Sequence, residues 1–446
     1  MRDIVLVTVD SLRADHVGCY GYDRDTTPVI DDLATDGRRF TNVFAHACST
    51  RPSFPSILTS SYALMYGGFE RLSSKRTTLA EAIRNAGYQT AGFHSNLYLS
   101  ADFGYDRGFD QFYDSKSDPS PLARARQAVK THLDQNGVVY NVLQKAFNAT
   151  ERRTGVELGS AYVPADEMTD MALEWARKAD DGPRFLWVHY MDVHHPYTPP
   201  ARYQRQFRDD PVDNETAIRL RRKMLEDPDR ITDDELNTLL DLYDAEIAFV
   251  DAEVDRLLKG LQDTWETDPV IAFTADHGEE FLDHGQFSHA ATFYDEVLHV
   301  PLILHDGESS GTVDDLVGLL DLAPTLVDYA DASEPDTFLG ESLVSGHEHD
   351  REQVIAEWAD YDEGDRRFAL RTNEWKYVQM EGGEERLFDL TSDPEETTNV
   401  AEEYPGTLST FRDKIENHAN SVGSESISAE MDEEVRQRLR DLGYQE

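Results

Sequence analysis

The stretch VIAFTADHGE, residues 270–279, joins an unbroken apolar run to an aspartate, a histidine and a glycine. Val270 to Thr274 has the length and composition of a strand buried on both faces, and Asp276-His277-Gly278 follows it as a turn. The same grammar recurs along the chain. Ile4 to Val9 (IVLVTV) runs into Asp10-Ser11, and Tyr88 to Phe93 (YQTAGF) into His94-Ser95-Asn96. Phe185 to Tyr190 (FLWVHY) leads to Asp192, His194 and His195, and Val300 to Leu304 (VPLIL) makes a fifth run. Helical periods lie between them, as in Leu242, Ile247, Val250, Val254, Leu257 and Leu261. Strands alternating with helices predict an α/β fold, a mostly parallel sheet with helices on both faces. Ligands of such sheets bind at the carboxyl ends of the strands, where four of the five runs place their polar residues.

The periphery reads differently. Residues 115–165 hold Pro, Ser, Arg and Asn with little strand pattern, and residues 201–241 are charged enough to be solvated helices or a lid. Late in the chain, Trp375 to Val378 and Leu387 to Leu390 are strand candidates, and a polar tail carries an amphipathic helix at about Met431 to Leu442.

Composition bounds the partners. The 446 residues carry 42 basic and 87 acidic side chains, a net charge of −45, which excludes nucleic acid or an anionic membrane as a partner for the surface as a whole. Lysine is scarce, nine against thirty-three arginines, and the acid is spread along the whole chain. That pattern is expected of a halophile, whose salty cytoplasm screens the self-repulsion. Cys19 and Cys48 are too few for a disulfide framework. The apolar run begins at Ile4, leaving no room for a signal peptide, and no spanning stretch of about 18 apolar residues exists. The expectation is a soluble cytoplasmic protein.

Asp276 and His277 at the end of a strand suit a divalent cation with mixed oxygen and nitrogen ligands, and Asp10 ends a second strand as a third candidate. Each alone also reads as something plainer, Asp10 as a helix cap and the other two as turn polars. In ACSTRPSFPSILTSS, residues 47–61, Pro52 and Pro55 fit a first helical turn. A hydroxyl at that helix N-terminus sits in positive potential, as a nucleophile or as an ordinary N-cap.

Together these pieces resemble the sulfatase family of the alkaline phosphatase superfamily. Asp10-Ser11-Leu12-Arg13-Ala14-Asp15 through Gly18-Cys19-Tyr20-Gly21 is similar to its N-terminal metal motif. Further matches are Gly108-Phe109-Asp110-Gln111-Phe112-Tyr113, Met191 to Tyr197, Ala275 to Glu279, Tyr294-Asp295-Glu296 leading to Val300-Pro301-Leu302, and Asp321 to Leu326. Leu387 to Leu390 with Asp393-Pro394-Glu395-Glu396 and Asn399 is similar to the family's C-terminal signature, so the likeness covers nearly the full chain in order.

The resemblance implies an alkaline-phosphatase-like three-layer sandwich over residues 1–345, with 115–165 and 201–241 as variable insertions. A smaller C-terminal α+β subdomain and tail would fill 346–446. It implies one divalent ion (calcium, manganese, magnesium or zinc) on Asp10, Asp276, His277 and Thr50, with Asp192 the candidate if a second ion were bound. His194 would contact the transferred group or protonate the leaving oxygen. His284, His289 and Asn96 fall where the family binds substrate.

One departure decides the chemistry. The family's sulfatases carry Cys or Ser two residues before Pro and four before Arg, later oxidised to formylglycine. Aligned on Leu58-Thr59-Ser60, that position is Thr50, with Pro52 in register and Phe54 in place of the arginine, while Cys48 comes two residues too early. Oxidising a threonine gives a ketone, so no formylglycine is expected. Similar superfamily members with an unmodified Thr or Ser, such as lipoteichoic acid synthases and nucleotide phosphodiesterases, act on phosphoryl groups. The expectation is a metal-dependent hydrolase of sulfate or phosphate esters that works through a covalent Thr50 intermediate and favours phosphoesters. The alternatives are a transferase of phosphoryl-linked head groups and a non-catalytic, anion-binding relative. The substrate would be a small anionic or glycan-linked ester, with no nucleic acid and no membrane insertion.

Overall fold

The computed structural model describes residues 1–114, 162–289, 291–346, 349–360 and 365–423. Most of the 115–165 segment and the helix expected near 431–442 lie outside them. The strands, in chain order, are β1 (Ile4–Val9), β2 (Arg38–Phe44), β3 (Gln89–Phe93), β4 (Gln111–Tyr113), β5 (Arg184–Tyr190), β6 (Val270–Ala275), β7 (Glu280–Phe281), β8 (Phe287–Ser288), β9 (Leu302–His305), β10 (Gly311–Gly318), β11 (Val354–Asp360), β12 (Asp365–Arg371), β13 (Trp375–Gln379) and β14 (Glu385–Asp389).

Eight of them form the main sheet in the order β10-β2-β9-β6-β1-β5-β3-β4. All neighbours are parallel except β9, which runs antiparallel to β2 and β6. β1 is central and buried at every position, as are β6 and all of β5 but Arg184. Fully burying a Val, Leu or Ile contributes roughly 1.5–3 kcal/mol, so these three strands form a rigid platform. Their register sets up the site: Val9 lies opposite Tyr190 of β5 and Ala275 of β6. The residues that follow, Asp10, Met191 and Asp276, therefore leave the sheet side by side.

Helices pack in two layers. Ala165–Lys178, Ala201–Phe207 and Pro28–Asp36 pack against Asp233–Thr264, while Thr50–Thr59, Leu79–Asn85 and Leu322–Tyr329 pack against one another. The long helix Asp233–Thr264 opens with a capping box, Thr232 accepting from Glu235 N and Glu235 from Thr232 N. Residues 201–241 are solvated helices: of Asn214–Glu226, only Ala217, Leu220 and Met224 are buried. No helix among the described residues is long and apolar enough to cross a membrane.

The structure adjusts the sequence reading in three places. The run at Val300 becomes a strand only from Leu302; Pro301 has no N–H to give a ladder, and Val300 N bonds Val43 O instead. β2 and β10 carry charged residues and no apolar run; they pair with each other, with the register shifting between Val313 and Leu316. Pro55 sits inside the helix Thr50–Thr59, beyond its first turn.

β11 to β14 form a separate antiparallel sheet with alternating faces. Ile355, Phe368, Leu370, Tyr377 and Leu387 pack with Phe411 and Ile415 of the helix Pro405–Val422. Their neighbours Val354, Ala356, Ala369, Val378 and Phe388 join the main core.

Candidate active site

Asp10 and Asp276 leave adjacent strands and neither is exposed. Ser11 takes a positive φ of 57°, which lets its N–H donate to Asp276 Oδ1 at 3.2 Å while its hydroxyl donates to Asp10 Oδ1 at 2.9 Å. Gly278 is required for contact: a Cβ there would lie 2.0 Å from the Glu296 carbonyl oxygen. His277 donates from Nδ1 to the Gly278 carbonyl at 2.8 Å, because a carbonyl only accepts. The lone pair of neutral His277 is therefore on Nε2, facing the two aspartates.

Thr50 arrives from the opposite layer as the first residue of its helix. Its Oγ1 donates to Asp10 Oδ2 at 3.1 Å and lies 3.3 Å from His277 Nε2. Ser53, one turn on, donates to the Asp276 carbonyl at 2.6 Å and pins the helix to the loop. Phe54 meets the His189 ring edge-on at 5.0 Å and packs on Trp187. Arg51 is turned away, over Tyr98 and Phe103. Among the described residues, no arginine thus stands where the resemblance expects one.

Two more side chains close on Asp10. Asn96 Nδ2 donates to its Oδ2 at 3.4 Å, while Asn96 Oδ1 accepts from Tyr98 N. His189 Nε2 lies 3.4 Å from the same oxygen, its other nitrogen 2.9 Å from Thr8 Oγ1. Burial opposes the Asp10 charge, yet His189, with His194 and His277, holds this carboxyl well below the usual range. Burial first, and then the Asp10 charge, push Asp276 upward. Burial also keeps His277 neutral, lowering it to about 4.

These features fit a divalent cation. One ligand atom each from Asp10, Asp276 and His277 lie within 4.8 Å of one another. Asp276 Oδ2 is buried with no hydrogen-bond partner among the described residues, and two such close carboxylates ionise together only beside a counter-charge. Two carboxylates and an imidazole suit calcium, manganese, magnesium or zinc. Asp192 is elsewhere, accepting from Ala165 N at 3.0 Å at a helix start.

A histidine group borders this centre. His194, His195 and His289 bring one nitrogen each within 4.8 Å of one another, and the His289 ring lies 4.7 Å from that of His277. His194 donates from Nδ1 to the His195 carbonyl at 2.7 Å, and burial lowers it to about 3. Burial works against charge on His289 too, but Glu279, 3.5 Å away, reverses the balance and raises it. Tyr197 donates to the other Glu279 oxygen at 3.0 Å.

The structure thus brings Asp10, Thr50, Asp276, His277 and Asn96 together, with His194 and His289 beside them. It does not bring His284 there. His284 stacks on Tyr294 at 3.5 Å beside Glu296, turned aside by the β7–β8 hairpin. Sequence reasoning passed over His189 and Glu279. A lone histidine inside the apolar run FLWVHY was the available signal for the first; the second closes the Asp276-His277-Gly278-Glu279 motif, which gave it no role.

Comparison with known proteins bears on the family of the chain. The Sulfatase family model matches residues 2–332, and the model for the N-sulphoglucosamine sulphohydrolase C-terminal region matches 283–421. The arylsulfatase of Clostridium perfringens is 25% identical over 459 residues, covering 92% of each chain. The phosphonate monoester hydrolase of Agrobacterium radiobacter superposes with a TM-score of 0.71 at 22% identity, over 94% of this chain and 95% of that one. BT4656, solved with its substrate D-glucosamine-2-N,6-O-disulfate, gives 0.71 at 18% identity, over 94% and 97%. With most of its length matched by the Sulfatase model, the chain belongs to the sulfatase family of the alkaline phosphatase superfamily and is a hydrolase acting on ester bonds.

Proposed function

We propose that this hydrolase cleaves an anionic ester through a covalent Thr50 intermediate, and that phosphoesters are its better substrates. The observation that carries the reading is the Thr50 hydroxyl, at a helix N-terminus, within 3.1 Å of Asp10 and 3.3 Å of His277. The catalytic unit is residues 1–345, with the C-terminal sheet packed on it. Asp10, Asp276 and His277 would hold a divalent cation, which would supply positive charge to offset the negative charge of the nucleophile and the ester.

The remaining steps belong to the chain. Thr50 points its proton at Asp10, leaving an oxygen lone pair for the ester. As the bond from Oγ1 to phosphorus forms, the bond to the alcohol oxygen breaks and the threonine proton passes along its hydrogen bond to Asp10 Oδ2. His194, charged at Nε2 once an anionic ester lies beside it, returns a proton to the departing alcohol. Neutral His194 then accepts a proton from the water that cleaves the threonyl ester, and Asp10 returns the proton to Thr50 Oγ1, restoring all three residues. His289, held by Glu279, and Asn96 bind the anionic oxygens.

Threonine explains the preference. A formylglycine hydrate releases sulfate by eliminating through its second hydroxyl, and Thr50 has none. Alkyl sulfates hydrolyse slowly, so a sulfated Thr50 would stall, whereas a phosphorylated one is open to water at phosphorus. The similarity to a phosphonate monoester hydrolase supports this choice, and BT4656 with its sulfated sugar supports an anionic, glycan-linked ester as the broader class.

A panel of nitrophenyl esters tests the reading: a phosphate diester, a phosphonate monoester, a phosphate monoester and a sulfate, in high salt with manganese or calcium. Phosphoryl turnover exceeding sulfate turnover, and lost in Thr50→Ala, is expected. Faster sulfate turnover contradicts the preference. Transfer to an added alcohol in place of water would make the enzyme a head-group transferase.

A further inference from the structure

The helix Asn214–Glu226 runs against the charge of the chain. It carries Arg219, Arg221, Arg222 and Lys223 against Glu215 and Glu226, in a protein of net charge −45. Ala217, Leu220 and Met224 dock it, and Lys223 is tied to Glu235. A second face follows the i, i+3, i+4, i+7 spacing through Ile218, Arg221, Arg222 and Leu225.

That face adjoins the site. Arg221 Nε donates to His195 Nδ1 at 3.1 Å, and the His195 ring lies 4.2 Å from that of His194. Ile218 and Leu225 are two of the five large apolar side chains exposed among the described residues. The Arg222 side chain is 73% exposed, and its carboxylate neighbour Glu226 is 4.0 Å away, too loose and solvated a pair to occupy it.

We infer that this face binds the remainder of the substrate, and that the ester cleaved at Thr50 belongs to an anionic amphiphile presented from a lipid surface. Arg222 meets an acidic head group, while Ile218 and Leu225 lie along the apolar chain. The inference rests on the Thr50 reading for the bond cleaved, but not for the surface. A wholly glycan substrate gains little from two exposed aliphatic side chains, whereas a lipid uses them together with the cation between them. The rest of the protein repels an anionic surface, so contact is confined to the helix that reverses the charge. Salt favours the same division: at roughly 1 M only charges in near-contact still act, while excluded salts strengthen apolar burial.

Two readouts on the full chain test this. The first is turnover of nitrophenyl alkyl phosphodiesters from methyl to dodecyl. The dodecyl ester is expected to react at least about tenfold better in kcat/KM than the methyl ester, a gain a few buried methylenes supply. The double variant Ile218→Asn, Leu225→Asn is expected to abolish the gain, its dodecyl and methyl esters then reacting at the same kcat/KM. The second is co-sedimentation with phosphatidylglycerol vesicles, phosphatidylcholine serving as control. Wild type is expected to bind the anionic vesicles, and the double variant and Arg222→Glu are expected not to. Chain-length independence without vesicle binding overturns the proposal. So does binding of a soluble sulfated oligosaccharide that needs Arg222 but neither apolar residue. Vesicle binding that needs Ile218 and Leu225, in a protein that turns over no ester, supports the surface and counts against the Thr50 reading alone.

Discussion

Asp276 Oδ2 is buried beside the Asp10 carboxylate with no hydrogen-bond partner among the described residues, and an uncompensated carboxylate oxygen in such a place is costly. A cation relieves both the missing partner and the repulsion. Asp276→Asn removes one charged ligand and is expected to weaken manganese or calcium binding about a hundredfold, read by titration calorimetry. Thr50→Ala is expected to lower kcat at least about a thousandfold with little change in thermal midpoint, whereas Thr50→Ser retains a hydroxyl and a measurable rate. The residues legible in the sequence share one trait: Asp10, Asp276, His277 and Asn96 lie just beyond strands, and Thr50 opens a helix. His189 lies within a strand and reaches Asp10 only because β5 is in register with β1, a pairing no local pattern encodes. His284 failed for the opposite reason: its sequence position is close to the site, but the hairpin carries it to Tyr294 and Glu296.

Elements hold these residues through buried polar caps. The helix Pro28–Asp36 is capped from outside its own segment, Asp251 of the long helix accepting from Val29 N at 3.1 Å and Ile30 N at 3.0 Å. Burial, the largest influence, raises Asp251 to about 7 despite those donors. A raised carboxyl favours the folded state while protonated. Its contribution is complete below about pH 4 and is lost as pH climbs through about 7. Asp251→Asn is therefore expected to flatten that part of the stability profile, so that the variant gains on wild type from pH 4 to 7 in denaturant titrations. A constant gap across that range would contradict the assignment. At this scale the five apolar runs showed where the central strands lie, because full burial leaves a continuous apolar signature. β2 and β10 gave no such signal, since Asp314, Asp315 and the flanking arginines face solvent or polar partners.

Charge governs the whole molecule. A net charge of −45 repels an anionic substrate over distances that dilute buffer leaves unscreened, while at about 1 M salt the range falls to roughly 3 Å. Activity and thermal midpoint are both expected to rise with potassium chloride into the molar range; full activity in dilute buffer would contradict the halophilic reading of the composition. The alternating strands made the three-layer body legible, and the resemblance supplied its family. Residues 201–241 were legible as solvated helices or a lid; their approach to the site comes from tertiary placement, which sets Arg221 against His195.

The direct test of the Thr50 chemistry is to catch the covalent state. A nitrophenyl phosphate diester, mixed with the metal-loaded protein and quenched in acid within the first turnover, should leave the phosphoryl group on the peptide holding Thr50, read by mass spectrometry. Label at Thr50, absent in Thr50→Ala, is the expected result. Turnover with no label on Thr50, or label on another residue, would contradict it.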